Sequence, residues 1–369
     1  MLKSLYVDNY KSLVNFKIEF TDKNVLLGKN GSGKSTIFQV LHLLQLFLNG
    51  QERIETLIPA ETLTKWQAVN IQSFEIKLST EKGLFTYSLT VEQAEHLNSC
   101  RVKTEKVTYL ETSKILFKSE LGKAVLYNDS FEQGPEILTD WSLSGVSMVQ
   151  ERKDNKLLTF FKNEMKKIIV CTPLPFEMKN IAEDEQSMLN TYCTNIAETY
   201  RYMLLSHTNL VSDLLQELKK IIPSIETISF KEGAEIKRLR FTMRYKNKKF
   251  DYLLSALSEG EKMLFLLYLI VKCYMPLGFS IFIDEPDNWL SLQEIQPWLS
   301  SVEDILEQTK GQCVIISHCS EVVDYWAGSN GLWFSRLDYG ATRLIEAPQI
   351  DKPVSYSQGI IQGLIDDFK

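Results

Sequence analysis

The stretch that most constrains the fold of this chain is GKNGSGKST, residues 28–36. It fits the pattern G-x-x-x-x-G-K-[ST] and lies between an apolar strand, Val25–Leu27, and an apolar segment, 35–48, that is typical of a buried helix. A strand, a glycine-rich loop and a helix in this order bind phosphate, because backbone N–H groups and the positive helix start surround the phosphate oxygens. The sequence therefore predicts an α/β fold with a nucleotide site. The predicted phosphate-binding residues are Asn30, Gly31, Ser32, Gly33, Lys34, Ser35 and Thr36.

Two side chains of this loop have separate predicted roles. The Lys34 ammonium is predicted to reach the β- and γ-phosphates of ATP. The Ser35 hydroxyl is predicted to bind Mg²⁺, so the loop implies both ATP and Mg²⁺ as ligands.

Polar residues also follow two apolar strands in the second half of the chain. Strand 280–283 ends in Asp284 and Glu285, at the edge where α/β sheets bind ligands. Asp284 is predicted to hold Mg²⁺ through water, and Glu285 to polarise the attacking water as general base. His318 follows strand 312–316, where it could contact the γ-phosphate, although a single histidine can also be structural.

A helix start at Ser258 carries an unexplained glycine. Ser258 and Glu261 fit a capping box before an apolar run, but Gly260 lies in the first turn, where glycine costs roughly 1 kcal/mol relative to alanine. Something must approach this turn too closely for a side chain.

The four motifs GKNGSGKST, LSEGEK, IFIDEPDN and IISH occur in one order, and in this they resemble the ATP-binding-cassette (ABC) ATPases of the SMC, RecF and OLD group. Asn9–Ser12 resembles the "NFKSF" start of that group. The resemblance implies an α/β fold, an ABC-type ATPase head. Its mixed or parallel sheet core would carry the phosphate loop beside an antiparallel β lobe, with a mostly helical insertion.

The resemblance also implies a homodimer with two ATP molecules between its heads. Ser258 and Gly260 would contact the γ-phosphate held by the second head, so a side chain at position 260 would obstruct it. Ser258 could equally cap its own helix in the free protein. The resemblance adds Asp287, in the D-loop, and Lys11 to the predicted nucleotide-binding residues. It also adds His318 to the predicted catalytic residues.

This chain departs from the family at two points. Many relatives have Gly-Leu-His-Pro after the D-loop carboxylates, whereas this chain has Trp289–Leu292. The glutamine that usually links the nucleotide to the middle region is not evident; Gln150 is the first candidate for this metal-binding role, and Gln72 is another.

Apolar periodicity predicts the secondary structure and four parts of the chain. The predicted strands are 2–7, 13–20, 25–27, 71–79, 84–91, 105–110, 114–127, 225–230, 236–245, 280–283, 312–316, 331–335 and 342–346, and the predicted helices are 35–48, 155–168, 186–221, 259–273, 292–309 and 319–326. The predicted parts are the N-terminal part of the head, 1–95; a β/helical insertion lobe, 96–220; the C-terminal part of the head, 221–346; and a tail, 347–369.

Composition excludes several other classes of protein. The chain has 369 residues and a net charge of −6, so only a local patch could attract nucleic acid. Its six cysteines form no Cys-x-x-Cys pair, which argues against a zinc site or a disulfide framework. The longest apolar run, Met263–Val271, is about half the ~20 residues of a membrane span, and the N-terminus lacks a signal-peptide core. We expect a cytoplasmic protein that does not associate with a membrane.

One local patch is basic. Arg238, Arg240 and Arg244 alternate along one strand within a run of cations that extends from Lys237 to Lys249. Such a face could bind nucleic-acid phosphates, or it could simply be solvated.

Three functions fit these features. The first is an ATP-driven switch that controls a separate effector, a nuclease or toxin, because the segment 347–369 is too short for the nuclease domain of OLD proteins. In this it resembles ATPase subunits of bacterial antiphage systems such as Septu, PARIS or retron operons. The second is a DNA-repair or chromosome ATPase that clamps DNA, and the third is a nucleotide-binding scaffold with little turnover. A transporter subunit is disfavoured by the long insertion.

Overall fold

The computed structural model of the chain describes residues 1–94, 100–231, 237–346 and 355–361. Its strands are β1 (Leu2–Asp8), β2 (Phe16–Glu19), β3 (Lys23–Gly28), β4 (Ile71–Thr80), β5 (Gly83–Gln93), β6 (Cys100–Tyr109), β7 (Lys114–Glu120), β8 (Lys123–Tyr127), β9 (Gln133–Leu138), β10 (Ile168–Cys171), β11 (Ile181–Ala182), β12 (Ile225–Lys231), β13 (Lys237–Tyr245), β14 (Lys248–Leu253), β15 (Ser280–Asp284), β16 (Gln312–Ile316), β17 (Gly331–Ser335) and β18 (Arg343–Ile345). Its helices are α1 (Lys34–Leu48), α2 (Ile54–Leu57), α3 (Gly145–Met148), α4 (Lys156–Met165), α5 (Ile196–Ser206), α6 (Thr208–Ile221), α7 (Glu259–Leu269), α8 (Leu292–Gln308), α9 (Ser320–Asn330) and α10 (Tyr356–Ile361).

A six-stranded sheet positions the predicted nucleotide site. Its strand order is β10-β15-β16-β3-β17-β18, and every neighbouring pair is parallel except β17 and β18. The strand before the phosphate loop, β3, therefore lies beside β16, which lies beside the carboxylate strand β15. Because the carboxyl ends of parallel strands share one edge, the three predicted motifs meet there.

Alternating residues of this sheet pack into two separate cores. Leu26, Phe282 and Val314 face α1 and the antiparallel lobe. Val25, Ile281 and Ile315 face α7, α8 and α9 on the other side. Burial on both faces explains why these strands are continuous apolar runs.

The antiparallel lobe is an eight-stranded sheet in the order β2-β1-β4-β5-β6-β7-β8-β9. The predicted N-terminal hairpin is confirmed, since β1 pairs with β2 from Ser4 opposite Glu19 to Val7 opposite Phe16. The predicted strand 114–127 is two strands, because Leu121 (φ 47°) and Gly122 (φ 78°) form a tight turn with left-handed backbone.

Two predicted helices in the middle of the chain are shorter in the structure. The first ends at Met165, and Ile168–Cys171 instead joins the six-stranded sheet, where it pairs with β15. The predicted helix 186–221 is instead two helices, Ile196–Ser206 and Thr208–Ile221, separated at His207. The first of them begins only at Ile196, because the Asn190 and Asn195 side chains accept backbone N–H bonds within the preceding loop and so compete with helix formation. Segment 96–220 therefore supplies one strand of the sheet that carries the nucleotide site.

Smaller differences occur towards the C-terminus. The predicted helix 259–273 is α-helical to Leu269 and continues as one π-helical turn, Ile270–Tyr274. Ile236, the first residue of the predicted strand 236–245, lies outside the described residues, as does most of the predicted tail, 347–369; its described part contains α10. Among the described residues, no helix is long and apolar enough to cross a membrane.

Candidate functional site

The phosphate loop has the backbone that only glycine adopts freely. Gly31 has φ 77° and Gly33 has φ 105°. A Cβ atom on Gly33 would lie 2.6 Å from the Thr342 hydroxyl oxygen, so space as well as backbone angle requires glycine. Nothing lies within 4 Å of a Cβ built on Gly31, so this turn is open on its outer side.

The helix that follows this loop begins without a side-chain cap. Gly33 is the N-cap of α1, and because glycine has no side chain, no side-chain hydrogen bond caps this helix. The first N–H groups of α1 are therefore available to an anion. The Lys34 side chain is 5% exposed, and its Nζ donates to the Gly28 carbonyl at 2.6 Å. Burial lowers the pKa of Lys34, and the Asp284 and Glu285 carboxylates oppose that effect.

Asp284 and Ser35 meet at the sheet edge as the motifs predict. The Ser35 hydroxyl lies close to the Asp284 carboxylate. Burial raises the pKa of Asp284, and the nearby Glu285 charge adds to it, whereas the Ser35 hydroxyl acts in the opposite direction. A hydroxyl beside a carboxylate is the hard oxygen set that suits Mg²⁺, which usually binds through one or two protein oxygens, water and phosphate. Among the described residues, no group of three or more His, Cys, Asp or Glu side chains could hold a metal ion.

Glu285 lies directly after this carboxylate in a strained turn. Its φ is 51°, in the left-handed region, and its N–H donates to the Ile316 carbonyl at 2.8 Å. Its Oε2 accepts a hydrogen bond of 2.6 Å from Asn288 Nδ2. Strain of this kind is concentrated at functional sites, where the surrounding contacts hold it.

His318 and Asp287 occupy the next position along the edge. Burial lowers the pKa of His318 below its ordinary 6.5, and the Lys34 charge adds to the effect, so the imidazole is mainly neutral at pH 7. Burial raises the pKa of Asp287, although the nearby Ser317 side chain acts in the opposite direction. A neutral imidazole can donate one hydrogen bond and accept another, which suits contact with a phosphate and with water.

Lys34, Ser35, Glu285 and His318 line a cavity of about 530 Å³, whereas Asp284 and Asp287 are not among its lining residues. Its volume is in the range of small-molecule sites. The sequence-predicted residues that line it are Lys11, Asn30, Gly31, Gly33, Lys34, Ser35, Thr36, Glu285 and His318.

Lys11 reaches the cavity through the N-terminal hairpin. Its Nζ donates to Gln39 Oε1 on α1 at 2.6 Å, and burial lowers its pKa. Its backbone N–H donates to the Thr62 carbonyl, and the Thr64 hydroxyl donates to its carbonyl at 2.9 Å. The segment 61–66 is thereby held against the cavity.

Sequence reasoning missed several residues of this wall. Trp66 lines the cavity with a side chain that is 49% exposed. Arg336 also lines it, and its Nη1 donates to the Gly31 carbonyl at 3.2 Å. An aromatic next to a cation, as in Lys65–Trp66, was the available signal, but only the contacts at Lys11 bring that loop here. The missed lining residues are Ser12, Glu61, Leu63, Lys65, Trp66, Ile316 and Arg336.

Ser258 and Gly260 do not line this cavity. The Ser258 side chain forms a complete capping box with Glu261, so it caps its own helix, α7. A Cβ on Gly260 would lie 3.0 Å from the Trp289 carbonyl oxygen of the same chain. A contact inside the head therefore already explains part of the requirement for glycine.

Neither glutamine candidate lies at the cavity. Gln150 is exposed and accepts a bond from Asn155 at its carbonyl. It follows Ser147, which packs on Gly50 at the far end of the 15-residue helix α1, roughly 20 Å from Ser35. The structure therefore does not bring Gln150 to the metal position. Gln72 is buried and donates to the Asn9 carbonyl at 3.0 Å.

Two further predicted residues are turned inward. The Ser32 hydroxyl is buried, and the described residues offer it no hydrogen-bond partner. One carboxylate oxygen of Asp287, Oδ1, is buried in the same way. The predicted contacts of Ser32 and Asp287 with a ligand stay predictions. A buried polar atom without a hydrogen-bond partner in each residue fits a site that a ligand completes.

A family model described as "RecF/RecN/SMC N terminal domain" matches residues 1–333. The solved structure described as the SmcHead bound to the C-winged helix domain of ScpA superposes with a TM-score of 0.55 at 13% identity, and the alignment covers 98% of this chain and 99% of that one. The SMC head domain from Thermotoga maritima gives a TM-score of 0.45 at 16% identity and covers 94% and 99%. At these identities the likeness concerns the fold alone, and only the first TM-score is high enough to support it. It confirms the predicted head fold. No curated protein sequence matches this chain.

Proposed function

This chain belongs to the RecF/RecN/SMC N-terminal domain family, the SMC/RecF-type ABC ATPases, and from that premise we propose that it binds and hydrolyses MgATP as a switch that dimerises around the nucleotide. One observation carries the proposal: Lys34, Glu285 and His318 line a single cavity at the uncapped start of α1. Three separate parts of the sequence thus supply a cation, a base and a histidine to one place.

The residues around the cavity divide the chemical work. Lys34 and the α1 N–H groups would hold the phosphates, and Ser35 with Asp284 would hold Mg²⁺, which neutralises charge on the phosphates when bound. Glu285 accepts a proton from the attacking water. His318, mainly neutral at pH 7, donates a hydrogen bond to the γ-phosphate or orients that water.

The second half of the proposal is a composite site, in which residues of two heads surround one ATP molecule. Ser258 is exposed, and two large apolar side chains lie close to it. Trp289, directly after the D-loop, is 39% exposed, Phe176, in the turn after β10, is 57% exposed, and their rings are in contact. Exposed aromatic side chains beside polar groups are typical of protein interfaces. We assign this surface to the second head, with Ser258 directed at the ATP held by its neighbour.

Light scattering on Glu285→Gln tests the composite site. This variant retains the shape of the carboxylate but loses the base, so ATP should persist, turnover should fall roughly 10²-fold or more, and the mass should double in MgATP. Adding Ser258→Arg should return the mass to that of a monomer. Ser255→Arg, at an exposed position three residues earlier, is the matched control. A mass independent of nucleotide and of residue 258 would contradict the composite site.

Two outputs are compatible with this switch. We propose control of a separate nuclease or toxin in antiphage defence, on the sequence resemblance alone. A chromosome or DNA-repair ATPase is also compatible with the family. The two differ in an assay of turnover: DNA should stimulate the second class directly, whereas the first needs its effector, which purification from the native host followed by mass spectrometry would identify.

Nucleic-acid binding by the basic hairpin has weaker support. Arg240 pairs with Asp251 at 3.5 Å, and Arg244 and Lys249 both pair with Glu226. These acids neutralise part of the predicted basic face. Charge reversal of Arg240 and Arg244 should weaken nucleic-acid binding and flatten its salt dependence if the face binds phosphates; unchanged binding would leave it a solvated face.

A further inference from the structure

The geometry points to Asn288 as a positioning residue for the catalytic carboxylate of Glu285. This inference rests on the proposed ATP hydrolysis and adds a residue to it. Asn288 is exposed, touches no phosphate-loop residue in the contacts described, and donates from Nδ2 to Glu285 Oε2 at 2.6 Å.

The need for such a residue follows from the position of Glu285. Its backbone is fixed by the left-handed φ of 51° and by the bond from its N–H to the Ile316 carbonyl. Its side chain still has three rotatable bonds, and it is only partly buried at the cavity wall. Among the described residues, Asn288 donates the hydrogen bond that the Glu285 carboxylate accepts. Loss of that bond would leave the main chain in place and free the carboxylate.

The donor is chemically suited to this role. An ionised carboxylate only accepts hydrogen bonds, so the amide nitrogen of Asn288 must face it. One bond to Oε2 leaves Oε1 available to align the attacking water. A neutral amide also holds the carboxylate without forming an ion pair that would compete with Lys34 for the same charge.

The same turn contacts the start of α7. Asn288 precedes Trp289, whose carbonyl oxygen lies 3.0 Å from a Cβ built on Gly260 and whose ring contacts Phe176. The start of α7, the D-loop and Glu285 are thus joined by consecutive short contacts within one head. A second head that docks on Ser258 would therefore press on the turn that orients the base.

Steady-state kinetics on Asn288→Ala tests the inference. We expect kcat to fall about 10- to 100-fold, because a misplaced catalytic group loses that much, while the KM for MgATP changes by less than about twofold. Asn288→Asp, of the same shape, should lower kcat further, since it sets a second negative charge against Glu285. The matched control is Asn128→Ala, which removes a similar exposed bond, Asn128 Nδ2 to Glu132 Oε2 at 2.8 Å, away from the cavity.

A double-mutant cycle separates positioning from a general structural effect. In the Glu285→Gln background, Asn288→Ala should change the residual kcat by less than about twofold, because the group it positions is already gone. A wild-type kcat in Asn288→Ala, or an equal loss in both backgrounds, would overturn the inference while leaving the ATPase intact. A wild-type protein that binds ATP without turnover would instead overturn the proposed hydrolysis itself, and the inference with it.

Discussion

The helix that starts at Lys34 and the helix that starts at Glu259 differ in how their first turns are satisfied. The first has glycine at its N-cap and no side-chain cap, and it opens onto the cavity. The second has a complete capping box from Ser258 and Glu261, with the Trp289 carbonyl packed over its glycine. One helix start is ready for an anion within a single chain. The other has its Glu261 N–H bonded to the Ser258 hydroxyl, and in the proposed dimer it would have to exchange that bond, worth about 1 kcal/mol, before contacting a partner's phosphate.

In the proposed dimer, nucleotide binding and head closure would be separate steps. The groups that line the cavity all come from one chain. Closure would require the cap at Ser258 to open, so it should depend on the second head as well as on ATP.

Lys34→Ala should abolish measurable ATP binding, a loss of at least about 100-fold, because it removes the buried cation predicted at the β- and γ-phosphates. Calorimetry in MgCl₂ measures this directly. Lys17→Ala, at an exposed lysine on β2 that pairs with Glu19, should bind like the wild type. Normal affinity in Lys34→Ala would show that the α1 start is not the phosphate site.

Mixing two inactive variants should restore activity if the two helix starts serve one composite site. Lys34→Ala retains the intact start of α7, and Ser258→Arg retains its phosphate loop. Equal amounts should recover about a quarter of the wild-type rate, since half of random dimers are mixed and each has one intact site of two. No recovery from the mixture, with both variants folded, would mean that each head works alone.

Trp66→Ala should weaken ATP binding by about 5- to 100-fold if the exposed indole stacks on the base, since such stacking contributes roughly 1–3 kcal/mol. Inorganic tripolyphosphate, which has no base, should bind both proteins equally in competition calorimetry. Trp141→Ala is the matched control, an indole that is 52% exposed and is not among the cavity residues. An equal loss for tripolyphosphate would place Trp66 in a structural role.

Asp284→Asn should raise the midpoint of thermal unfolding in EDTA by about 2 °C while it abolishes Mg²⁺-dependent turnover. Burial raises the pKa of Asp284, so this carboxyl stabilises the fold below its unfolded pKa, and that contribution is lost as the pH rises through the folded value. The gain on substitution should therefore be larger at pH 7.5 than near the ordinary carboxyl pKa, at about pH 4. Differential scanning calorimetry at both pH values checks this, and a lower midpoint at pH 7.5 would contradict the assigned burial cost.

Local patterns were sufficient for the groups that one segment contains. GKNGSGKST predicted a strand, a loop and a helix, and the structure has them in β3, the glycine turn and α1, because steric limits on φ and helix-end chemistry are set by neighbouring residues. The adjacent Asp284 and Glu285 reached the same edge because parallel strands align their carboxyl ends. The capping box at Ser258 was visible for the same local reason.

Only the tertiary structure decided the contacts between distant segments. Trp66 and Arg336 reach the cavity through hydrogen bonds at Lys11 and Gly31 that the spacing of residues in the sequence does not predict. Gln150, the first candidate for the metal-binding glutamine, lies at the far end of α1. Ile168–Cys171 is a strand because it pairs with β15 at the edge of the sheet. Gly260 has little room for a side chain because the Trp289 carbonyl lies over it. Long-range packing selects among local alternatives that are close in free energy, so the residues themselves indicated the chemistry of the site, and the fold determined which of them share it.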